Sequence, residues 1–211
     1  MSALLTFTYV IIDNLLKQPT NKIYIADSAG VSINRLYSEC IYRGKRTKRR
    51  VFGKLHILAC YYPNYGYIPV VAARWGTNYS SDSANLLEML KQIDFLDIEY
   101  LLADSGYDCC ELFEYSLNHN ISPIVKTKEF KWDYKTNKVR KRIKGMFNQN
   151  LYRYRGVVES IFGGLETKNR LKLNDRLLNI RRNSTIAAAI VHNILILMRL
   201  SVLIHNTSYS S

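Results

Sequence analysis

Short apolar runs, some of them alternating with polar residues, recur along the chain and predict β-strands. They cover residues 22–26, 51–62, 67–74, 98–103 and 121–126. The turn residues Pro, Asn, Tyr and Gly at 63–66 separate the second run from the third. These two runs are therefore expected to form a hairpin.

Apolar residues at helical spacing follow several of these strands. The helix-capping residues at 80–82 precede an amphipathic run at 86–93. Asp108 and Glu111 have the spacing of a capping box, which predicts a helix to about residue 118, and a long helix is expected from about residue 152. With a basic loop before the last helix, this order predicts a ribonuclease-H-like α/β fold, in which helices flank a mixed sheet.

Length and composition predict one globular domain over residues 1–211. The chain is 47% hydrophobic and 22% charged, which is typical of a protein with a packed core. The four cysteines show no C-x-x-C spacing, which argues against a zinc site and favours reduced thiols in a cytoplasmic protein.

Both ends of the chain are apolar, but neither is predicted to enter a membrane. Residues 1–16 lack a basic start and contain Asp13, which argues against a signal peptide. Residues 186–204 approach the length of a membrane span, yet His192, Asn193 and Arg199 interrupt them. A buried C-terminal helix is expected there.

The formal net charge of +13 is concentrated in two segments. Residues 43–50 hold six basic residues and no acidic one, and residues 126–144 hold nine basic residues and two acidic ones. Such local excess is typical of proteins that bind a polyanion, because neutralised phosphates release counterions. A pair of solvated basic loops is the alternative. In the first segment, the residues expected to contact DNA are Arg46, Lys48, Arg49 and Arg50.

Two aspartates each follow a predicted strand directly. Asp27 precedes Ser-Ala-Gly and Asp104 precedes Ser-Gly, so both are expected at strand ends, where open α/β sheets bind ligands. Two-metal phosphoryl transfer requires oxygen ligands from different parts of the chain, since Mg²⁺ prefers carboxylates and water. For either aspartate alone, a turn or helix-cap role is the alternative.

The third carboxylate is expected to come from the predicted long helix. Tyr152, Arg155, Glu159 and Glu166 are spaced by three, four and seven residues, which would place them on one helix face. Arginine binds phosphate through its planar fork, and tyrosine stacks on DNA or hydrogen-bonds to it, so this face suits a nuclease. A solvated helix with a local ion pair between Arg155 and Glu159 is the alternative.

These motifs resemble those of DDE transposases from bacterial and archaeal insertion sequences of the IS-four and IS-five types. The helix signature of that family is Y-x-x-R-x-x-x-E followed seven residues later by lysine, and the segment from Tyr152 to Glu159 is similar to it. Residues 101–108 (LLADSGYD) resemble the second-aspartate motif, and residues 25–28 (IADS) resemble the first. Residues 77–83 resemble a segment between the two, and the resemblance covers about residues 23–200.

The resemblance implies a metal-dependent catalytic site. Asp27 would bridge two Mg²⁺ or Mn²⁺ ions, and Asp104 and Glu159 would each complete one metal site. Tyr152 and Arg155 would contact DNA near the cleaved phosphate. The implied partner is the double-stranded DNA of transposon ends and target, bound by a homodimer.

The chain departs from the family pattern at two places. Glu166 stands at the lysine position of the signature, and Lys168 and Arg170 nearby are expected to contact DNA in its place. Glu166 lies about 10 Å along the helix from Glu159, too far to replace it as a metal ligand, and is expected to repel the DNA backbone. Family members usually carry a larger N-terminal region. Here residues 1–22 are expected to be a short lead-in without a separate DNA-binding domain.

The predicted function is metal-dependent cleavage of DNA at insertion-sequence ends, followed by strand transfer. In-line attack by water and then by a DNA 3′-hydroxyl needs no covalent protein–DNA intermediate, in contrast to tyrosine and serine recombinases. The sequence leaves two alternatives open: a ribonuclease-H-like nuclease without strand transfer, and an inactive or truncated transposase remnant that binds DNA.

Overall fold

A mixed five-stranded sheet forms the centre of the protein. The computed structural model describes residues 1–16, 22–42, 45–77, 79–94, 96–128, 138–167 and 178–208. For residues 32–42, 45–52, 166–167, 178–179, 181 and 204–208 it describes the backbone only. The strands are β1 (Ile23–Tyr42), β2 (Lys45–Tyr61), β3 (Val70–Thr77), β4 (Tyr100–Ala103) and β5 (Ser122–Val125). Their order in the sheet is β3-β2-β1-β4-β5. Neighbours among the first three are antiparallel, whereas β1, β4 and β5 run parallel.

Helices lie along the chain between and after these strands. The α-helices described are α1 (Ser2–Leu15), α2 (Asp82–Gln92), α3 (Cys110–Asn118), α4 (Lys138–Met146), α5 (Gln149–Tyr152), α6 (Glu159–Thr167) and α7 (Leu178–Ser208). Short 3₁₀ helices cover Ser105–Tyr107 and Arg153–Val158. The mixed sheet and its flanking helices confirm the predicted α/β class, and all five predicted strands are present with shifted bounds.

Each face of the sheet carries its own hydrophobic cluster, because successive strand residues point to opposite faces. Tyr24, Leu58 and Leu101 face α2 and α3 in one cluster. Ile25, Ile57 and Leu102 face Ile161 and Leu165 of α6 in the other. The central strands are therefore covered on both sides. α6 packs against the face of β1 that carries Ile23 and Ile25.

Residues 45–50 of the first basic segment are not the loop that the sequence pattern predicts, and residues 43–44 lie outside the described residues. β1 and β2 continue pairing to Tyr42 and Lys45, and β3 pairs with β2 only from Gly53 onward. Residues 32–42 and 45–52 thus form a two-stranded ribbon that extends beyond β3. The prediction failed because it relied on apolar alternation, which the basic run 45–50 lacks. The backbone of β2 in this ribbon carries Arg46, Lys48, Arg49 and Arg50.

The second basic segment is also partly regular, since α4 begins at Lys138, and residues 129–137 lie outside the described residues. Asp108 belongs to this region rather than to a capping box. It accepts hydrogen bonds from the Lys128 amide at 2.8 Å and from Arg140 Nε at 3.0 Å. Cys109 stands at the N-cap of α3 without a side-chain cap bond. The Asp108 carboxylate, which the local pattern assigned to the start of α3, therefore forms a tertiary ion pair with Arg140 instead.

Residues 1–22 were expected to be a lead-in, and most of them form α1, which packs against α7 and β3. Leu5, Tyr9 and Ile12 of this helix are fully buried. The expected C-terminal helix is present as α7. Its segment Arg182–Leu203 has the length and composition of a membrane span. In the fold one side of it packs into the core, while the other side leaves apolar side chains such as Met198 exposed.

Asn193 of α7 is fully buried and connects three elements. Its Oδ1 accepts from the Val70 amide at 2.8 Å, and its Nδ2 donates to the Val70 carbonyl at 2.8 Å and to Thr8 Oγ1 at 3.0 Å. β3 lies at the edge of the described sheet, so among the described residues these backbone groups have no strand partner on that side. The amide of Asn193 supplies the missing pairing, which explains a polar residue in an apolar helix.

We expect Asn193→Ala to lower the free energy of unfolding by about 3 kcal/mol, because it leaves the buried amide and carbonyl of Val70 unsatisfied. Urea unfolding monitored by circular dichroism measures the change. Asn183→Ala on the exposed side of the same helix is the matched control and should change stability by less than about 0.5 kcal/mol. Equal losses for both variants would contradict the role given to Asn193.

Candidate active site

Strand pairing places Asp27 and Asp104 side by side. Ile25 of β1 pairs with Leu102 of β4, so two residues further along each parallel strand Asp27 is level with Asp104. Asp104 follows the last residue of β4, as predicted. Asp27, however, lies inside β1 rather than at its end, since the strand continues to Tyr42. Of the two aspartates, only Asp104 therefore lies at a strand end.

The two aspartates differ in exposure. The Asp27 side chain is 11% exposed and accepts a hydrogen bond from the Ser28 amide at 2.8 Å. Burial raises the pKa of Asp27, and the Ser28 hydrogen bond and the Arg155 charge oppose that rise. Asp104 is more exposed, and its Oδ1 accepts from the Gly106 amide at 2.7 Å. A Cβ at position 106 would come within 2.8 Å of that oxygen, so a larger residue there would require the Asp104 side chain to shift.

Arg155 brings the third carboxylate to this pair. Its Nη2 lies 3.3 Å from Asp27 Oδ2 and 3.8 Å from Asp104 Oδ2, and its Nη1 lies 3.3 Å from Glu159 Oε1. The three acidic residues singled out in the sequence thus surround one guanidinium group. They come from β1, from the end of β4 and from the first residue of α6.

The helix that carries Arg155 and Glu159 is not continuous, contrary to the sequence prediction. α5 ends at Tyr152, a 3₁₀ helix covers Arg153–Val158, and α6 begins at Glu159. Gly156 and the β-branched Val157 and Val158 are poor helix formers, which favours a short 3₁₀ segment here. Arg155 and Glu159 nevertheless meet as an i,i+4 pair.

The structure describes the other residues predicted to bind DNA only in part. Tyr152 is half-buried, and its ring centroid lies 5.1 Å from that of Phe147. Lys168 and Arg170 lie outside the described residues. For Arg46, Lys48, Arg49 and Arg50 the structure describes the backbone position in β2 and no side chain. The assignment of these residues to DNA stays a prediction.

A second polar cluster, centred on Asp82, adjoins the site. Asp82 is the first residue of α2, and it accepts hydrogen bonds from Ser28 Oγ at 2.8 Å and from Lys54 Nζ at 2.7 Å. Nδ1 of the fully buried His56 lies 3.1 Å from Asp82 Oδ1. Burial raises the pKa of Asp82, but the contacts with His56, Lys54 and Ser28 outweigh burial and hold it well below its usual value.

Sequence reasoning had not assigned Lys54, His56 or Asp82 to the site. Asp82 had a local explanation as a helix-capping residue, whereas Ser81 is the observed N-cap of α2. The available signal was the alternation of Lys54 and His56 along β2, which puts both on the same face as Ser28. Because Ser28 follows Asp27 directly, this cluster connects α2 and β2 to the strand that carries the most buried carboxylate.

The donor set suits a hard divalent cation. Carboxylate oxygens are the ligands that Mg²⁺ and Mn²⁺ prefer, and three of them converge on one point from separate elements. As the side chains stand, with the Arg155 guanidinium among them, the described residues contain no three acidic, histidine or cysteine side chains arranged to chelate an ion. The chemistry of the residues fits such an ion, although their present contacts are with a cation of the protein itself.

Comparisons with known proteins concern the family and the fold of the chain. The family model described as "Transposase DDE domain" matches residues 18–194. Among solved structures, a piggyBac transposase in a synaptic complex with hairpin DNA, determined by cryo-electron microscopy, is similar with a TM-score of 0.51 and 10% sequence identity. The alignment covers 94% of this chain and 52% of that chain, so this protein spans about half the length of that transposase. At that identity the likeness shows the fold alone. No curated protein sequence matches the chain.

We expect Asp82→Asn to destabilise the protein by about 1–3 kcal/mol at pH 7, because Lys54 loses its ionic partner. The folded-state pKa of Asp82 is lowered, so its contribution is complete above the unfolded value of about 3.9 and is lost as pH falls below it. The difference in unfolding midpoint between wild type and variant should therefore stay constant from pH 7 to about pH 4.5 and shrink as pH falls further toward about pH 2.

Glu88→Gln in the same helix serves as the control, because among the described residues the exposed Glu88 pairs with Lys91 alone, at 3.3 Å. It should change stability little at any pH. A gap between wild type and Asp82→Asn that stays constant down to about pH 2 would show that the charge of Asp82 contributes nothing.

Proposed function

The chain belongs to the transposase DDE domain family, and we propose that it catalyses metal-dependent DNA cleavage and strand transfer at the ends of an insertion sequence. The observation that carries this proposal is the convergence of Asp27, Asp104 and Glu159 on one guanidinium. The apolar packing of β1, β4 and α6 does not require their three carboxylates to lie close together. A cationic ligand that binds all three would explain why they do.

In this mechanism Asp27, Asp104 and Glu159 would hold two divalent cations, Mg²⁺ or Mn²⁺. Such ions would supply activation of the attacking hydroxyl and stabilisation of the leaving oxygen in phosphodiester cleavage. Asp27 is the most enclosed of the three ligands, with a side chain 11% exposed against 42% for Asp104 and 67% for Glu159. The Asp82 cluster would keep β1 in place through Ser28 while the metal ligands rearrange.

Double-stranded DNA is the proposed substrate, and the charge of the chain supports this. The acidic site needs positive potential around it to attract a polyanion. The ribbon of residues 32–42 and 45–52 continues from β1, the strand of Asp27, and its basic residues Arg46, Lys48, Arg49 and Arg50 are proposed DNA contacts. Tyr152, Arg155, Lys168 and Arg170 are proposed contacts next to the catalytic residues. Assembly as a homodimer on DNA is part of the same proposal.

The glycines of α6 also support the approach of DNA to the site. Gly163 lies one turn after Glu159 and on the same face of the helix. A side chain at Gly163 or at Gly164 would meet no described atom within 4 Å outside the nearby backbone of the helix itself. Internal packing of the described residues therefore does not require glycine, which costs a helix about 1 kcal/mol relative to alanine. In this proposal, glycine at position 163 leaves space for a DNA backbone to approach Glu159.

The catalytic assignment predicts that Asp27→Asn, Asp104→Asn and Glu159→Gln each abolish Mg²⁺-dependent cleavage and joining. The loss should be on the order of a thousandfold, because each variant removes a ligand of an ion worth several kcal/mol to the transition state. The substrate is a duplex that carries the DNA flanking the coding sequence. Gel assays follow cleavage and the joining of a 3′-hydroxyl end to target DNA.

Glu88→Gln is the control for these variants and should keep wild-type activity, because Glu88 is exposed on α2 away from the site. Cleavage without joining by the wild type would identify a nuclease without strand transfer. DNA binding by a wild type that cleaves nothing with Mg²⁺ or Mn²⁺ would identify a non-catalytic remnant.

Gly163→Ala should weaken DNA binding several-fold while raising the free energy of unfolding by up to about 1 kcal/mol. Fluorescence anisotropy with a labelled duplex and urea unfolding measure the two effects. Gly164→Ala is the matched control, since Gly164 lines a cavity of about 230 Å³ with His192 and Arg199 and does not share the face of Glu159. Equal effects of both variants on DNA binding would remove the argument from Gly163.

A further inference from the structure

Arg155 occupies the point on which the proposed metal ligands converge. The guanidinium contacts Asp27, Asp104 and Glu159 at distances between 3.3 and 3.8 Å. The proposed function assigns these same carboxylates to divalent cations. A guanidinium and a divalent cation repel each other strongly at such separations. The observed contacts therefore represent the state in which Arg155, rather than a divalent cation, binds the three carboxylates.

The guanidinium is held loosely by comparison with another arginine of the same protein. Arg140 forms a two-pronged pair with Asp108, with Nε to Oδ1 at 3.0 Å and a second, shorter bond from Nη2 to Oδ2. Arg155 instead divides its nitrogens among three acids, and charge-assisted hydrogen bonds are usually 2.7–2.9 Å long. Its Nε is buried without a hydrogen-bond partner among the described residues. Arg155 is thus poorly satisfied and can leave at modest cost.

The charge balance of the site also favours the replacement of Arg155 by divalent cations. One positive charge faces three carboxylates that can each carry a negative charge, so the guanidinium leaves an excess of negative charge at the site. Divalent cations would compensate that excess more fully. The Arg155 side chain is 25% exposed, which gives it a route toward solvent.

We propose that Arg155 is the built-in counter-ion of the metal-free site, and that divalent cations displace it and so release its guanidinium for the DNA contact that the proposed function assigns to it. This inference rests on the proposed function, because it takes Asp27, Asp104 and Glu159 as the metal ligands. In the metal-free protein Arg155 acts as a positioning residue that keeps the three carboxylates together. After its release it adds a cation to the surface that faces DNA.

One consequence is a coupling between metal binding and DNA binding. Metal ions that displace Arg155 provide the DNA with an additional contact, so each ligand strengthens the binding of the other. Without Arg155 the metal ions meet no competing cation, but the additional DNA contact is lost. Removal of this one side chain should therefore tighten metal binding and weaken the coupling to DNA, which a purely structural role would not do.

The first experiment titrates Mn²⁺ into the full chain without DNA by isothermal titration calorimetry. Arg155→Ala should bind Mn²⁺ about tenfold more tightly than wild type, because no guanidinium has to be displaced. Arg153→Ala is the matched control, two residues away. Arg153 is exposed and donates to Tyr154 Oη at 2.9 Å, so its loss removes the same charge without touching the carboxylates. Its Mn²⁺ affinity should equal that of wild type.

The second experiment measures the salt dependence of binding to a 20-base-pair duplex with and without Ca²⁺. In wild type, Ca²⁺ should increase the number of phosphate contacts by about one, seen as a steeper fall of affinity with salt. The slope for Arg155→Ala should not change with Ca²⁺, whereas Arg153→Ala should behave as wild type does. An equal change of slope in wild type and Arg155→Ala would overturn the transfer of Arg155 to DNA.

Weaker or unchanged Mn²⁺ binding by a folded Arg155→Ala protein would overturn the counter-ion role and leave the proposed function standing. A wild type that binds no Mn²⁺, or binds it as well after Asp27→Asn, would overturn the proposed function together with this inference. If Arg155→Ala lowers the unfolding midpoint too far for titration, Arg155→Gln retains most of the side chain without its charge. The same affinity comparison then decides.

Discussion

Carboxylates that share a small volume repel each other, and this repulsion governs how the central strands and α6 can meet. Parallel pairing of β1 with β4 brings Asp27 level with Asp104, and enclosure by the surrounding elements raises the pKa of Asp27. Arg155 offsets the repulsion from a third segment of the chain and also draws Glu159 toward the pair. The position of α6 on the sheet thus depends on a cation as well as on its apolar contacts through Ile161 and Leu165.

Two acidic centres lie next to each other in this fold, and their degree of satisfaction separates them. Asp82 has close contacts with Lys54, Ser28 and His56, and it stabilises the junction of β1, β2 and α2. The other centre shares one guanidinium among three acids at longer distances. Close charge pairs are typical of structural support, whereas three carboxylates that share one guanidinium at longer distances keep the capacity to bind a further cation. The proposed chemistry belongs to the second centre.

The sequence-based predictions succeeded where a residue's role follows from its immediate neighbours. Asp104 follows an apolar run of four residues, so its position at the end of β4 was readable directly. The order of the five strands with α2 and α3 between them was likewise predicted, because the periodicity of apolar residues reports which side of an element is buried. The loop predicted over residues 45–50 and the capping role of Asp108 were wrong. In both places the outcome depends on partners distant in the chain, namely the antiparallel pairing of β1 with β2 and the ion pair with Arg140.

Sequence by itself determined the α/β class, the three candidate carboxylates and the concentration of positive charge, since hydrophobic periodicity, residue type and charge are all local properties of a chain. Only the tertiary structure decided that Asp27 lies within a long strand rather than at its end, that a 3₁₀ segment interrupts the signature helix, and that Arg155 sits among the acids. It also brought Asp82 next to Ser28 across 54 residues. These features arise from strand register and from electrostatic contacts over long sequence separations, and the spacing of residues along a chain does not encode which distant charges will share one site.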